Sequence, residues 1–362
     1  MTNIYAGVLQ ELDRGKPAVL VTELMADKKG AYSSKKALYT ADEAERQTRA
    51  REDKAAIAEA LADGRVKLLV ETHRIRVIEP FYPEPQLIIL GGGHIAVPLA
   101  EFAARTGFAV TVVDDRLAFA NRERFPRVRQ VICDSFSTCW EKLHFTPYTY
   151  VVIVTRGHRH DLECLRRILQ EQWAYAGMIG SHRRIAAARK QLAAEGFAAD
   201  MLARVNMPIG LKIGAVTPEE IAVSILAQLI SYRRLQNPGQ PEKSAAKAAT
   251  ESDRRLLQEL AAGGDRTKAI ATVVATKGSV PRREGAKMLV FPDGSLLGSI
   301  GGGCAESEVI REALTILAIG GCKLHHLDLT GEVAEEMGMV CGGTMDVLIE
   351  AWPPGGGAGN GW

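Results

Sequence analysis

The chain has 362 residues, 46% apolar and 24% charged, with a formal net charge of +2. That length holds two or three domains with cores of their own, and the composition is that of an ordinary globular protein. Lys and Arg are interspersed with Asp and Glu and form no basic tract, so no nucleic-acid partner is expected. No apolar run approaches the roughly 18 residues of a membrane span, so no membrane partner is expected either. Six cysteines are too few for a disulfide scaffold, and the first residues lack the apolar segment of a signal peptide. A cytoplasmic protein with reduced thiols is the expectation.

Residues 1–82 read as a small α/β module: VLQEL at 8–12, then β-type AVLVT at 18–22, KALY at 36–39, IAEAL at 57–61 and VIEPF at 77–81. The same series returns near the C-terminus as LLQEL at 256–260, AIATVV at 269–274, KMLV at 287–290, IREAL at 310–314 and LIEAW at 348–352. Five matches in one order indicate a duplication. Where the second copy has Gly301-Gly302-Gly303-Cys304, the first has a charged run from Asp42 to Lys54 and no cysteine. The fold is duplicated; the chemistry is not.

Between the copies, residues 86–236 form a third block. QLIIL at 86–90 is a buried strand ending in a tight turn, Gly91-Gly92-Gly93. A helical pattern from Ile95 to Thr106 follows, with Pro98 in its first turn, where a missing N–H costs little. A second strand at 109–113 closes on Asp114-Asp115, and further strands fit 128–133, 150–155 and 175–179. Strands alternating with helices predict a doubly wound, parallel α/β sheet of Rossmann type. Thr217-Pro218-Glu219-Glu220 is a capping box opening a helix from Ile221 to about Tyr232. Residues 237–250 read as a linker, 251–352 as the second small module, and 353–362 as a loose tail.

Gly91-Gly92-Gly93-His94-Ile95-Ala96 fits G-x-G-x-x-A between strand and helix. Gly91 suits the tight turn, Gly93 the approach of a pyrophosphate, and Ala96 close helix–strand packing. Asp114, 21 residues past Gly93, stands where an acid can hold a ribose 2′-hydroxyl, favouring NAD or FAD over NADP. The alternative is a Rossmann scaffold with a vestigial site. His94 reads either as a neutral donor or acceptor beside the ligand or as a capping residue.

Three more clusters fall at strand ends. Thr155 to Asp161 reads as a turn and helix cap more than a metal site. Gly180-Ser181, followed by His182-Arg183-Arg184, is an anion site at a helix start, and Gly210 to Gly214 permits close backbone approach. Together on one edge they favour a phosphate-bearing ligand. In the last module, Arg282 and Arg283 sit in a glycine-bounded loop. Cys304 follows the nest Gly301–303 near a helix start, which lowers a thiol pKa, and Cys341 precedes Gly342-Gly343. Glycine nests cradle anions and thiolates bind soft metals or sulfur. A Cys304–Cys341 disulfide is a second possibility. Cys133, Cys164 and Cys322 read as small buried hydrophobes.

These motifs resemble the XdhC/CoxI family, accessory proteins of molybdenum hydroxylases such as xanthine dehydrogenase. The carriers are G-S-x-P-R-x-x-G at 278–285, I-G-G-G-x-x-E at 300–306, C-G-G at 341–343, V-D-D-R at 113–116, G-M-I-G-S at 177–181 and the run at 208–222. The resemblance covers about residues 86 to 352; here the CoxI-like module follows the Rossmann domain and a degenerate copy precedes it. It implies a factor that binds molybdenum cofactor (molybdopterin), supports its sulfuration and delivers it to a hydroxylase, with a cysteine desulfurase and a homodimer as further partners. Cys341 would contact Mo or sulfur, Arg282 and Gly301–303 the phosphate, and Glu306 a pterin N–H, with Cys304, Gly342 and Gly343 around them. NAD(P) or FAD would occupy the Rossmann domain. The readings set against this one are an NAD(P)-dependent oxidoreductase and a thiol-based sulfur carrier.

Overall fold

The computed structural model describes residues 3–26, 32–40, 51–72, 74–235, 254–262, 267–329 and 342–352. The chain divides into two compact units, Met1–Pro83 with Ser244–Trp362, and Glu84–Lys243. The first unit opens with α1 (Ile4–Asp13), β1 (Ala18–Ala26), β2 (Tyr32–Thr40), α2 (Arg51–Asp63), β3 (Lys67–Val70) and β4 (Arg74–Phe81). The second holds β5 (Gln86–Leu90), α3 (Ala96–Arg105), β6 (Ala109–Asp114), β7 (Gln130–Cys133), β8 (Thr149–Ile153), α4 (His158–Ile168), β9 (Tyr175–Met178), α5 (His182–Ala194), α6 (Ala199–Ala203) and α7 (Pro218–Leu235). The first then resumes with α8 (Arg254–Ala261), β10 (Lys268–Lys277), β11 (Lys287–Val290), β12 (Leu296–Gly298), α9 (Gly303–Ile319), β13 (Cys322–Asp328) and β14 (Thr344–Trp352).

In the second unit five parallel strands stand in the order β7-β6-β5-β8-β9. Leu87 and Ile89 face a core with Leu99, Ala103 and Leu229 from α3 and α7. Ile88 and Leu90 face the opposite core, with Leu165 and Ile185 from α4 and α5. Burial on both faces is why β5 is a continuous apolar run rather than an alternating one. The strand order reverses between β5 and β8, which opens a crevice outside their carboxyl ends. Helix α7 starts as a reciprocal capping box: Glu220 N donates to Thr217 Oγ1 at 3.3 Å and Thr217 N to Glu220 Oε2 at 3.0 Å. It outlasts the expected end near Tyr232, because Tyr232 Oη donates to Asn206 and Arg233 to the Thr106 carbonyl.

Cys133 departs from expectation. It is exposed, at the carboxyl end of edge strand β7, whereas Cys164 and Cys322 are buried. An edge strand only four residues long leaves its last side chain in solvent.

In the first unit nine strands form one antiparallel sheet in the order β12-β11-β10-β14-β13-β2-β1-β4-β3. Each repeat supplies four strands in the same sequence, β2-β1-β4-β3 and β11-β10-β14-β13. Side chains alternate across each strand. Val19 and Val21 pack under α2 with Ile57 and Ala60; Ala269, Ala271 and Val273 pack under α9 with Val309 and Ala313. The other faces of the two repeats meet: Leu20 and Phe81 share a cluster with Ile270 and Leu289, and Leu24 and Val77 share one with Val274 and Leu348. The two small modules are therefore one compact body. Residues 41–50, the segment 236–253 that includes the expected linker, and the tail 353–362 lie outside the described residues. Among the described residues no helix is long and apolar enough to cross a membrane.

Candidate functional site

At the carboxyl edge of the parallel sheet the three glycines divide in role. A Cβ on Gly91, at φ +115°, would lie 2.4 Å from the Val154 carbonyl oxygen, and one on Gly92 2.2 Å from that of Phe119. Both approaches are to the protein's own backbone. A Cβ on Gly93 would meet nothing within 4 Å, so this glycine alone of the three faces open space. Ala96 is fully buried at the start of α3, and His94 is exposed beside Gly93.

Asp114 is 2% exposed. Its Oδ2 accepts the Gly92 N–H at 2.8 Å and Arg116 Nη2 at 3.0 Å, and its Oδ1 accepts the Arg116 N–H at 3.1 Å and Nε at 2.9 Å. Burial pushes the carboxyl pKa up, but Arg116 and the two amides outweigh it and hold the group below its ordinary value. The acid expected to meet a ribose is thus committed to bracing the glycine turn. Arg116 in turn lies 3.7 Å over the Phe119 ring. The next acid, Asp115, takes a bidentate pair from Arg156 at 2.7 and 2.9 Å. That pair links the ends of β6 and β8, the two neighbours of β5. Sequence reasoning meets Asp115 and Arg116 within V-D-D-R and Arg156 within the 155–161 cluster but reads no pairing among them; the doublet Asp114-Asp115 followed at once by Arg116 is the signal that could have found it.

Farther along the edge, Asp161 is fully buried and accepts from Thr155 Oγ1 at 2.5 Å. It also pairs with Arg184. The N-cap of α4 is Gly157, so Asp161 tethers neighbouring segments instead of capping the helix. Its two oxygens serve Thr155 and Arg184, which leaves His158 without an orienting carboxylate for acid–base work. Ser181 caps α5, accepting the Arg184 N–H at 3.3 Å, and a Cβ on Gly180 would lie 3.4 Å from Ile185 Cγ1, an ordinary contact. Gly210 answers to packing as well: a Cβ there would lie 2.4 Å from Ser224 Oγ on α7.

In the C-terminal module three loops converge. A Cβ on Gly278 would be 2.7 Å from the Gly342 carbonyl oxygen, and one on Gly343 2.5 Å from that of Lys277. On Gly301, at φ +140°, it would fall 2.5 Å from Pro281 Cβ with the Arg282 nitrogen at 3.7 Å. Arg282, Gly301, Gly342 and Gly343, separated in sequence, are brought together. Among the described residues nothing lies within 4 Å of a Cβ on Gly302 or Gly342, and Gly303 begins α9. Cys341 and the side chain of Cys304 lie outside the described residues, and with them the disulfide expectation.

Glu306 has work inside the loop. Its Oε2 accepts Ser299 Oγ at 2.8 Å, the Ile300 N–H at 3.3 Å and the Gly302 N–H at 2.8 Å. The nest already holds this protein's own carboxylate, so Glu306 positions the loop before it can meet any pterin. Glu306→Ala is expected to lower stability by about 1–2 kcal/mol, the worth of a charge-assisted hydrogen-bond set. Urea unfolding checks this, and an unchanged midpoint would leave the loop held by Ser299 alone.

A parallel sheet with its glycine turn at the switch point, in a chain that also carries an α/β module with converging glycine loops, defines a Rossmann-containing two-unit protein. The profile of the XdhC Rossmann domain matches residues 87–229, and that of the XdhC and CoxI family matches residues 261–328, together more than half of the chain. The chain belongs to the XdhC and CoxI family. The uncharacterized protein YqeB of Escherichia coli (strain K12) is 31% identical over 171 residues, 47% of this chain and 30% of that protein. A probable xanthine dehydrogenase subunit of Bacillus subtilis (strain 168) is 34% identical over 157 residues, 43% of this chain and 46% of that protein. The chain thus spans less than half the length of these curated relatives. A crystal structure of a xanthine dehydrogenase from Bacillus halodurans is 26% identical over 65% of each chain with a TM-score of 0.48, too low to argue site geometry.

Proposed function

We propose that this protein is an accessory factor for a xanthine dehydrogenase-type molybdenum hydroxylase. It binds molybdenum cofactor in the glycine loops of the C-terminal module, supports its sulfuration and passes it on, with a cysteine desulfurase as sulfur donor. The observation that carries the reading is the convergence of Gly278, Gly301 and Gly343, with no described residue within 4 Å of a Cβ on Gly302 or Gly342. Family membership and the xanthine dehydrogenase relative support the choice of client.

The residues present fit such a guest. Backbone without side chains admits close approach at Gly302 and Gly342, and Arg282 sits where a phosphate can be gripped. When bound, the cofactor supplies a dithiolene-held metal and a terminal phosphate. Cys341 is the soft ligand toward metal or sulfur, and Cys304 stands at the start of α9, where a helix N-terminus favours thiolate. In the Rossmann unit, Gly93 and the amides opening α3 receive a nucleotide phosphate, either the cofactor's own or that of NAD(P) or FAD.

The test is expression alongside an active molybdopterin pathway, then mass spectrometry of the small molecules released from the purified protein. Wild type should release molybdopterin. Cys341→Ala should retain at least about tenfold less, the worth of one strong contact, with an unchanged circular-dichroism spectrum. Equal retention in the variant would remove Cys341 from the site.

A further inference from the structure

The two repeats of the first unit are joined by charges buried where they meet. Lys36 Nζ on β2 pairs with Glu350 on β14 at 2.6 Å, and Lys287 Nζ on β11 pairs with Glu79 on β4 at 2.5 Å. All four side chains are at most 8% exposed. The pairs are reciprocal: Lys36 and Lys287 occupy equivalent positions in the repeats, as do Glu79 and Glu350. Each lysine also donates to the equivalent threonine of its own repeat, Thr22 at 2.9 Å and Thr272 at 2.8 Å. The apolar partners follow the same rule, with Leu20 and Ile270 in one shared cluster and Val66 and Cys322 in another. Within each repeat a helix–strand pair recurs too, Glu59 with Lys67 at 2.7 Å and Glu312 with Lys323 at 2.6 Å.

Contacts in which i meets j and j meets i are the signature of a two-fold, self-complementary interface. We infer that residues 3–81 act as a built-in subunit, seated on the face of the C-terminal module where a second copy of that module would sit. The occupant follows from the charges. The C-terminal module presents Lys287 and Glu350 in the places where the N-terminal repeat presents Lys36 and Glu79, so its face is complementary to itself. The N-terminal repeat has no counterpart of Gly301–303 or of the cysteines. One glycine-loop site is therefore carried per paired body, and this face is closed to association between chains. The inference is independent of what the glycine loops bind.

The test reverses charges in the full chain. K36E/E79K sets like charges against each other at both pairs, and the thermal midpoint should fall by at least about 10 °C. Lys287 and Glu350 of two such chains can still pair with each other, so light scattering should show twice the wild-type mass. Adding K287E/E350K rebuilds both internal pairs with inverted sign and should restore midpoint and mass. This four-site variant keeps the test decisive if the two-site variant fails to fold. A K36E/E79K protein with wild-type midpoint and mass would overturn the inference, since it would mean pairing within each repeat. So would a four-site variant no more stable than the two-site one.

Discussion

Alanine at Gly92 is expected to destabilise the Rossmann unit by about 3 kcal/mol, while alanine at Gly93 changes its stability by no more than about 0.5 kcal/mol. The two positions are adjacent in one glycine run, but they look in different directions. A methyl on Gly92 would press on the Phe119 carbonyl oxygen at 2.2 Å and on Asp114 Cβ at 3.3 Å. Relief requires the 115–120 segment to lift, which carries Arg116 away from Asp114 and loosens the buried carboxylate that receives the Gly92 N–H. Gly93 has no such neighbour, and its backbone is not in the left-handed region. Thermal unfolding separates the pair. The larger Gly93→Val should leave the fold intact and abolish binding of a nucleotide diphosphate, measured by calorimetric titration with NAD. Equal midpoints for Gly92→Ala and Gly93→Ala would refute the division of roles; undiminished NAD binding by Gly93→Val would make the turn purely structural.

The parallel sheet was legible because its strands are buried on both faces and so carry unbroken apolar runs such as Leu87 to Leu90. The capping box at Thr217 and Glu220 was legible because it is local chemistry with a fixed spacing. What a strand-end acid accepts from is a different matter. Asp114 stands at the same offset whether it meets a ribose hydroxyl or the amide of Gly92, and only the folded position of Arg116 decides. Glu306 poses the same ambiguity, since a carboxylate near a glycine nest can serve a ligand or fill the nest itself.

The duplication was readable in five matched segments, yet not the way the repeats combine. Lys36, Glu79, Lys287 and Glu350 look like solvated residues on half-exposed strands. Charged side chains are seldom fully buried unless paired, and here each partner lies in the other repeat, more than 200 positions away in sequence. Their recurrence at equivalent positions in both copies was the available clue. Cys133 shows the reverse limit, because composition says nothing about which strand ends at an edge.

Replacing Asp161 by leucine alone is expected to cost about 3 kcal/mol, and replacing Asp161 and Arg184 together by leucine and methionine to cost about 1 kcal/mol or less. The carboxylate is fully buried, whereas the guanidinium keeps 28% of its side chain exposed. Removing the acid leaves the buried Nη2 of Arg184 without its carboxylate, while the Thr155 hydroxyl keeps only the Gly157 carbonyl as acceptor. Burial raises the Asp161 pKa in spite of Thr155 and Arg184, which means that ionising this group in the fold is uphill relative to water. A carboxyl whose folded pKa is raised is stabilising while protonated. Its contribution is full below the ordinary value of about 3.9 and declines as pH rises through the raised folded value. Wild type should show that decline in urea midpoints as pH rises above the ordinary carboxyl value, and the two-site variant should lack it. If Asp161→Leu were as stable as the two-site variant at pH 7, Arg184 would have found another acceptor, and the tether between α4 and α5 would rest on packing alone.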